Sequence, residues 1–437
     1  MPNKKKKNKI TIQTPKGLHD ILPEDRLWWD KILKVFGDLK DIYSFDLIET
    51  PVLEYANLFE KALGKETDLM SKEMYSFKTK GGESLVLRPE GTIATARAYI
   101  QNNLSHKGQP QRLCYYEPMF RHENPQAGRY REHRQIGFEI LGGANDPVYD
   151  AEVIQVIYRL LQELKLKNLV LKINSIGCRN CRPAYERKLK SYYSKYEKDL
   201  CYDCKKRLST NPLRLLDCKN ETCQPFKAGA PNILDKFCGT CSSHFKGVLE
   251  YLEELGVEYT LDNTLVRGLD YYDRTVFEIY TTTNANAEGK SEINKMSLAG
   301  GGRYDYLIEK IGGKPTPAIG GAIGVERVIE AMKAQEVIPE PKEPKKVFFI
   351  HIGEVAKKKS LKIIEELRKK KISVFEDLGR ESLKAQLKLA NKRGISLVLI
   401  LGQKEVYEES IIIRNLKTSI QENIPLSRLT DSIKKYL

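Results

Sequence analysis

Eight of the chain's nine cysteines fall between Cys178 and Cys241, and this cluster limits what the chain can build more than any other feature. Cys178/Cys181, Cys201/Cys204 and Cys238/Cys241 are spaced C-x2-C, and Cys218/Cys223 C-x4-C. Two thiolates so spaced on a tight turn reach adjacent corners of a tetrahedron, so four pairs suffice for one or two four-cysteine metal sites. The segment is rich in Lys, Asn, Pro and Cys and has little apolar content, and structural zinc explains how such a segment holds a fold. The N-terminus shows no apolar stretch followed by a small-residue cleavage site, which favours metal ligation or reduced thiols over disulfides. Zinc on these eight cysteines is therefore expected, and spacing leaves open which pairs share an ion.

At 437 residues the chain exceeds one ordinary core and suits two or three domains. No run reaches the roughly 18 apolar residues of a membrane span, so a cytoplasmic protein without a membrane partner is expected. The net charge of +15 is unevenly spread. Lys4, Lys5, Lys6, Lys7 and Lys9 give the first ten residues +5, residues 345–437 carry +10, and the remainder nets zero. A basic arm and a basic C-terminal module around a neutral body suit a polyanionic partner; a solvated lysine-rich surface is the plainer alternative.

Apolar residues at helical spacing predict a helix over 26–42, followed by an extended run at 46–55. Residues 84–87, 111–121 and 131–141 read as strands, the last two pairing antiparallel across the polar loop 121–130. Strand character resumes at 276–282, ahead of the glycine-rich residues 299–304. The run IPEPKEPKK (338–346) reads as an extended linker. Beyond it, strands at 347–352, 373–375, 397–401 and 411–415 alternate with helices at 358–371 and 383–392. The expected fold class is α/β: a basic disordered arm (1–13), an α+β catalytic domain on an antiparallel sheet (14–337) carrying the cysteine-rich insertion (168–245), the linker, and a mixed α/β domain (347–437).

The segment FRHENPQAGRYREHRQIGFEILG sets Arg121, Arg129 and Arg131 among Glu123, Gln135 and Glu139. Planar, permanently charged guanidinium groups on adjacent strands suit phosphate recognition; solvated loop arginines are the duller explanation. LRPEGT (87–92), VRGLDYY (266–272) and GGAIGVER (320–327) each place a charged residue beside a small or backbone-restricting one. In order and spacing, these four segments resemble the signature motifs of class II aminoacyl-tRNA synthetases, specifically the histidyl-tRNA synthetase family. TPKGLHDILPED (14–25) is similar to that family's opening, Pro51 to its motif 1 proline at a dimer interface, and AGGGRYD (299–305) to one of its own motifs. The resemblance spans nearly the whole chain, and residues 347–437 resemble the family's anticodon-binding domain.

The resemblance implies ATP-dependent activation of L-histidine, with Mg2+ accompanying ATP, and transfer of the histidyl group to tRNA(His) by a homodimer. In-line attack of a carboxylate on the α-phosphate brings two anions together, so fixed cations are required. By position, Arg121 matches the motif 2 arginine on the α-phosphate and Arg267 the arginine opposite it, the two catalytic assignments. Arg327 matches the motif 3 arginine over the adenine and near the γ-phosphate, and Glu123, Arg129 and His133 complete the ATP contacts. Glu90, Gly91, Thr92, Gln135 and Glu139, with Tyr271 and Tyr272, match the histidine pocket. A site that satisfies both imidazole nitrogens rejects apolar isosteres, so editing is unnecessary. Two positions depart from the family pattern. His133 stands where a stacking Phe is usual, and Asn124 where the motif 2 loop is often basic.

Two rival readings are a non-catalytic paralogue, the regulatory subunit of ATP phosphoribosyltransferase, and a zinc-dependent nucleic-acid-binding protein. The first usually lacks the C-terminal module and has degenerate ATP motifs; the second leaves the arginine segments unexplained.

Overall fold

A computed structural model describes residues 12–64, 69–124, 128–284, 293–340 and 346–436. Most of the basic arm and most of the expected linker, residues 1–11 and 341–345, lie outside the described residues. The chain divides into two compact units, Met1–Pro339 and Glu340–Leu437. Among the described residues no helix is long and apolar enough to cross a membrane.

The first unit is organised on an eight-stranded sheet. Its strands run in the order Asp46–Leu47, Gln111–Phe120, Glu132–Leu141, Ala318–Gly324, Ile293–Arg303, Asp273–Asn284, Leu169–Ser175 and Tyr259–Leu261. All pairs are antiparallel except the two at the edges. The strands Gln111–Phe120 and Glu132–Leu141 pair across the expected loop. One sheet face is covered by Arg26–Ile42 and Val148–Glu163, whose Ile32, Phe36, Ile154 and Ile157 join a core with Phe138 and Phe277. That helical face follows from the apolar spacing read in the sequence.

Two details differ from the sequence expectation. The extended run 46–55 is two short strands, Asp46–Leu47 and Leu53–Tyr55, interrupted around Pro51, which has no N–H to give a ladder. The strand Leu169–Ser175, expected with the insertion, instead pairs with Asp273–Asn284 inside the sheet, so the cysteine-rich part leaves the sheet only after Ser175. From there it runs through Arg182–Tyr193, Tyr202–Thr210 and several single turns, and returns along the helix Gly239–Glu254.

The second unit is a five-stranded sheet ordered Ser373–Glu376, Lys346–His351, Leu397–Leu401, Ser410–Asn415, Gln421–Pro425, with parallel pairing around Lys346–His351. Helices Glu354–Lys369 and Leu383–Lys392 form the crossovers. The strand Gln421–Pro425 and the helix Leu429–Tyr436 extend the expected pattern. The strand is a polar edge ending in proline, the composition that protects an edge and hides it from a periodicity argument.

Candidate active site

One strand carries the site. Successive side chains of a strand alternate between faces, so His133, Gln135, Gly137 and Glu139 of Glu132–Leu141 share one face. That row is about 20 Å long at the usual rise per residue.

At its inner end Glu139 is fully buried. Its carboxylate accepts from the Thr92 hydroxyl at 2.7 Å, the Tyr304 hydroxyl at 2.6 Å and the Tyr115 hydroxyl at 3.4 Å. Burial outweighs these bonds and lifts its pKa to about 8. Glu90 lies at the start of the helix Thr92–Gln101 and takes the Ile93 N–H at 2.7 Å, the Thr92 N–H at 3.0 Å and the Tyr271 hydroxyl at 3.1 Å. Its pKa is also raised by burial, against the pull of those donors. Tyr271 lies against Tyr272 with ring centroids 4.6 Å apart and edge-on to Tyr304 at 5.8 Å. The glycines make this density possible. A Cβ on Gly91 would overlap the Tyr115 ring, and one on Gly320, directly across from Glu139 in the sheet, would overlap its carboxylate.

The outer end is cationic. Arg121 donates from Nε to the Pro89 carbonyl at 2.8 Å, and Arg327 from Nε to Gly128 at 3.1 Å and from Nη1 to Ser297 at 2.9 Å. Burial and the nearby charges of Arg129 and Arg121 lower the pKa of Arg327. His133 is held neutral, its pKa depressed to about 3 by burial and by Arg121 and Arg327. Arg129 pairs with Glu123 at 3.5 Å. Guanidinium groups crowded around a neutral ring have a mutual repulsion that a polyphosphate relieves. Between the two ends, Arg267 is ion-paired with Glu278, which also accepts from the Tyr280 hydroxyl. Burial opposes the Arg267 charge, yet Glu278 and the adjoining tyrosines raise its pKa.

The residues singled out in the sequence thus separate into a carboxylate-and-tyrosine end (Glu90, Gly91, Thr92, Glu139, Tyr271, Tyr272), an arginine end (Arg121, Glu123, Arg129, His133, Arg327) and Arg267 with its own partner. Gln135 stands between the ends on the shared face. The eight cysteines form two quartets able to hold a metal ion, Cys178/Cys181/Cys238/Cys241 and Cys201/Cys204/Cys218/Cys223. Sequence reasoning missed Tyr115, Tyr304, Glu278 and the buried Arg303–Asp150 pair. Tyr304 and Arg303 had a signal, since both sit in AGGGRYD; Tyr115 and Glu278 had only strand alternation.

A family model described as "Histidyl-tRNA synthetase" matches residues 17–180 and 232–328, and one described as "Anticodon binding domain" matches 346–436. A histidine--tRNA ligase of Dehalococcoides mccartyi is 43% identical over 97% of this chain and 100% of its own length. The chain belongs to the histidyl-tRNA synthetase family. A histidine--tRNA ligase of Caldicellulosiruptor saccharolyticus is 42% identical over 98% of this chain and 100% of its own. The crystal structure of apo S. aureus histidyl-tRNA synthetase superposes with a TM-score of 0.80 at 33% identity, covering 97% of this chain and 99% of that one. The full-length matches include the anticodon-binding module, which does not favour the regulatory paralogue. The synthetase model leaves out residues 181–231, which hold most of the cysteine insertion.

Proposed function

We propose that the chain is a histidine--tRNA ligase whose substrates lie along the strand Glu132–Leu141, histidine at the Glu139 end and ATP at the His133 end. The observation that carries this reading is the polarity of that row: a buried pair of carboxylates among tyrosines at one end, three crowded arginines at the other. The histidine ammonium and imidazole find acceptors and donors in Glu90, Thr92, Gln135, Glu139 and the Tyr271/Tyr272 walls, as buried polar atoms require. The histidine carboxylate attacks the α-phosphorus, the bond to the bridging oxygen breaks, and pyrophosphate leaves. Arg121 and Arg267 sit where charge grows on the α-phosphate oxygens. Among the described residues the buried Arg267 Nε has no acceptor, and a phosphate oxygen would satisfy this donor. Arg327 and the neutral His133 flank the purine, and Mg2+ arrives with ATP. A terminal ribose hydroxyl of tRNA(His) then attacks the activated carbonyl and displaces AMP. Zinc in this reading is structural and takes no part in the reaction.

The chain acts as a cytoplasmic homodimer. Leu47, Val52, Leu53, Tyr55 and Phe77 are exposed around the motif 1 proline, an apolar surface of the kind a second copy covers. The anticodon end of tRNA belongs on residues 347–437, where the positive charge is concentrated. Removing residues 345–437 tests the division: histidine-dependent ATP–pyrophosphate exchange persists within a few-fold while tRNA charging falls about a hundredfold or more. Charging at the full-length rate would remove the C-terminal unit from RNA binding.

A further inference from the structure

In the first cysteine quartet the sulfurs of Cys178 and Cys181 lie 3.7 Å apart, Cys181 and Cys241 3.7 Å, and Cys178 and Cys238 3.8 Å; in the second, Cys201 and Cys218 lie 3.8 Å apart. Four sulfurs each about 2.3 Å from a central zinc have edges of about 3.8 Å, whereas a disulfide bond is about 2.0 Å long. The turns are shaped for thiolates. The Cys178 N–H donates to Cys181 Sγ at 3.2 Å, Cys201 N–H to Cys223 Sγ at 3.3 Å and Asn220 N–H to Cys218 Sγ at 3.4 Å. Gly177, at φ +69, leaves space that a Cβ would take from Cys181 Sγ.

Residues that lie between or beside these cysteines bond to the far side of the segment VRGLDYY. Immediately after Cys181, Arg182 donates to the Tyr272 carbonyl at 2.6 Å and to Gly177 at 3.3 Å, and the Arg274 N–H donates to the Gly177 carbonyl at 2.9 Å. Between Cys204 and Cys218, Asn211 donates to Asp270 at 3.0 Å and Arg214 to the Gly268 carbonyl at 3.2 Å. Cavities of about 200 and 330 Å³ lie between the insertion and this segment, both bordered by Arg182, Asp270 and Tyr272 and the smaller also by Arg214. Close packing is therefore interrupted there, and the discrete hydrogen bonds carry more of the positioning.

We propose that each quartet binds one zinc ion, and that the two ions staple the insertion into a clamp that fixes residues 266–272 and thereby the histidine pocket. Arg182 and Asn211 are its positioning residues. The kinetic part rests on the histidine-activation reading; the metal and order parts do not.

The test combines zinc per chain by native mass spectrometry, amide exchange of residues 266–272, and pyrophosphate-exchange kinetics corrected for active-site concentration. Wild type carries two zinc ions, and Cys218→Ser and Cys241→Ser one each. Both variants show faster amide exchange across 266–272 and a KM for histidine raised about tenfold, with kcat changed less. Cys241→His, which keeps four ligands, restores both readouts. Arg182→Ala and Asn211→Ala retain two ions and reproduce the KM rise, which keeps the clamp testable where a cysteine variant does not fold. Zinc-free wild type with full amide protection overturns the proposal, as does an unchanged KM and unchanged exchange in both one-ion variants. Zinc-replete wild type that shows no histidine-dependent activity instead overturns the histidine reading, and the metal count and amide exchange still decide the clamp.

Discussion

The pocket floor and the cysteine insertion face each other across residues 266–272 and hold their shapes by opposite means. The floor is built from continuous strands, with Glu139, Glu90, Tyr115 and Tyr304 fully or nearly fully buried and joined by hydrogen bonds. The insertion has short helices and single turns, cavities at its inner edge, and two cysteine quartets. On the proposed reading, a change in the floor acts on the reacting groups directly, whereas a change in the insertion reaches them through a few hydrogen bonds. Effects on activity should therefore fall steeply from one side of residues 266–272 to the other.

The largest effect is expected at Arg267, on the dividing segment itself and ion-paired with Glu278 of the sheet strand Asp273–Asn284. Arg267→Ala should slow adenylate formation about 100- to 1000-fold in single-turnover experiments while histidine binding changes little, because its charge is needed where the transition state develops. A rate within a few-fold of wild type would remove Arg267 from the chemistry. Next comes a single methyl group. Gly320→Ala forces the Glu139 carboxylate aside and should lower kcat/KM for histidine about a hundredfold, the penalty of misplacing a binding group by an ångström. Gly239→Ala, in the insertion, where an added Cβ meets no atom within 4 Å among the described residues beyond its chain neighbours and its own helix backbone, should stay within about twofold of wild type. Equal effects at the two glycines would erase the contrast.

A smaller effect concerns protons. Glu139 binds its proton more tightly in the fold than in the unfolded chain, so its contribution to stability is complete below the ordinary carboxylate range and is lost as pH rises through about 8. An ammonium group arriving beside it favours the carboxylate. Histidine binding near pH 7.5, where the free imidazole is mostly neutral, should release a fraction of a proton, measured by titration calorimetry in buffers of different ionisation enthalpy. The release should vanish above about pH 9 and in Glu139→Gln. Release that persists unchanged in Glu139→Gln would assign it to another group.

The same contrast explains what the sequence allowed to be read. The helix Arg26–Ile42 and the strands Ser84–Leu87 and Leu397–Leu401 lie where periodicity puts them, because each buries one face or a whole short run. The segments bearing Arg121, Arg267 and Arg327 were recognisable because their residue types and order are unusual. Tyr115 was not, since its place at Glu139 depends on the register that sets it opposite Gly137 and beside Gly91. The grouping of cysteines was equally hidden. Cys178/Cys181 join Cys238/Cys241 because the strand Leu169–Ser175 ends where the helix Gly239–Glu254 begins, a meeting produced by topology that no spacing rule encodes.

ATP–pyrophosphate exchange measured with each of the twenty amino acids decides whether the buried floor selects histidine. A pocket whose buried carboxylates and hydroxyls require a polar ring should give exchange with histidine at least about 10,000-fold above any apolar amino acid, without an editing step. Comparable exchange with another amino acid, or none with histidine, would mean that the floor does not select histidine.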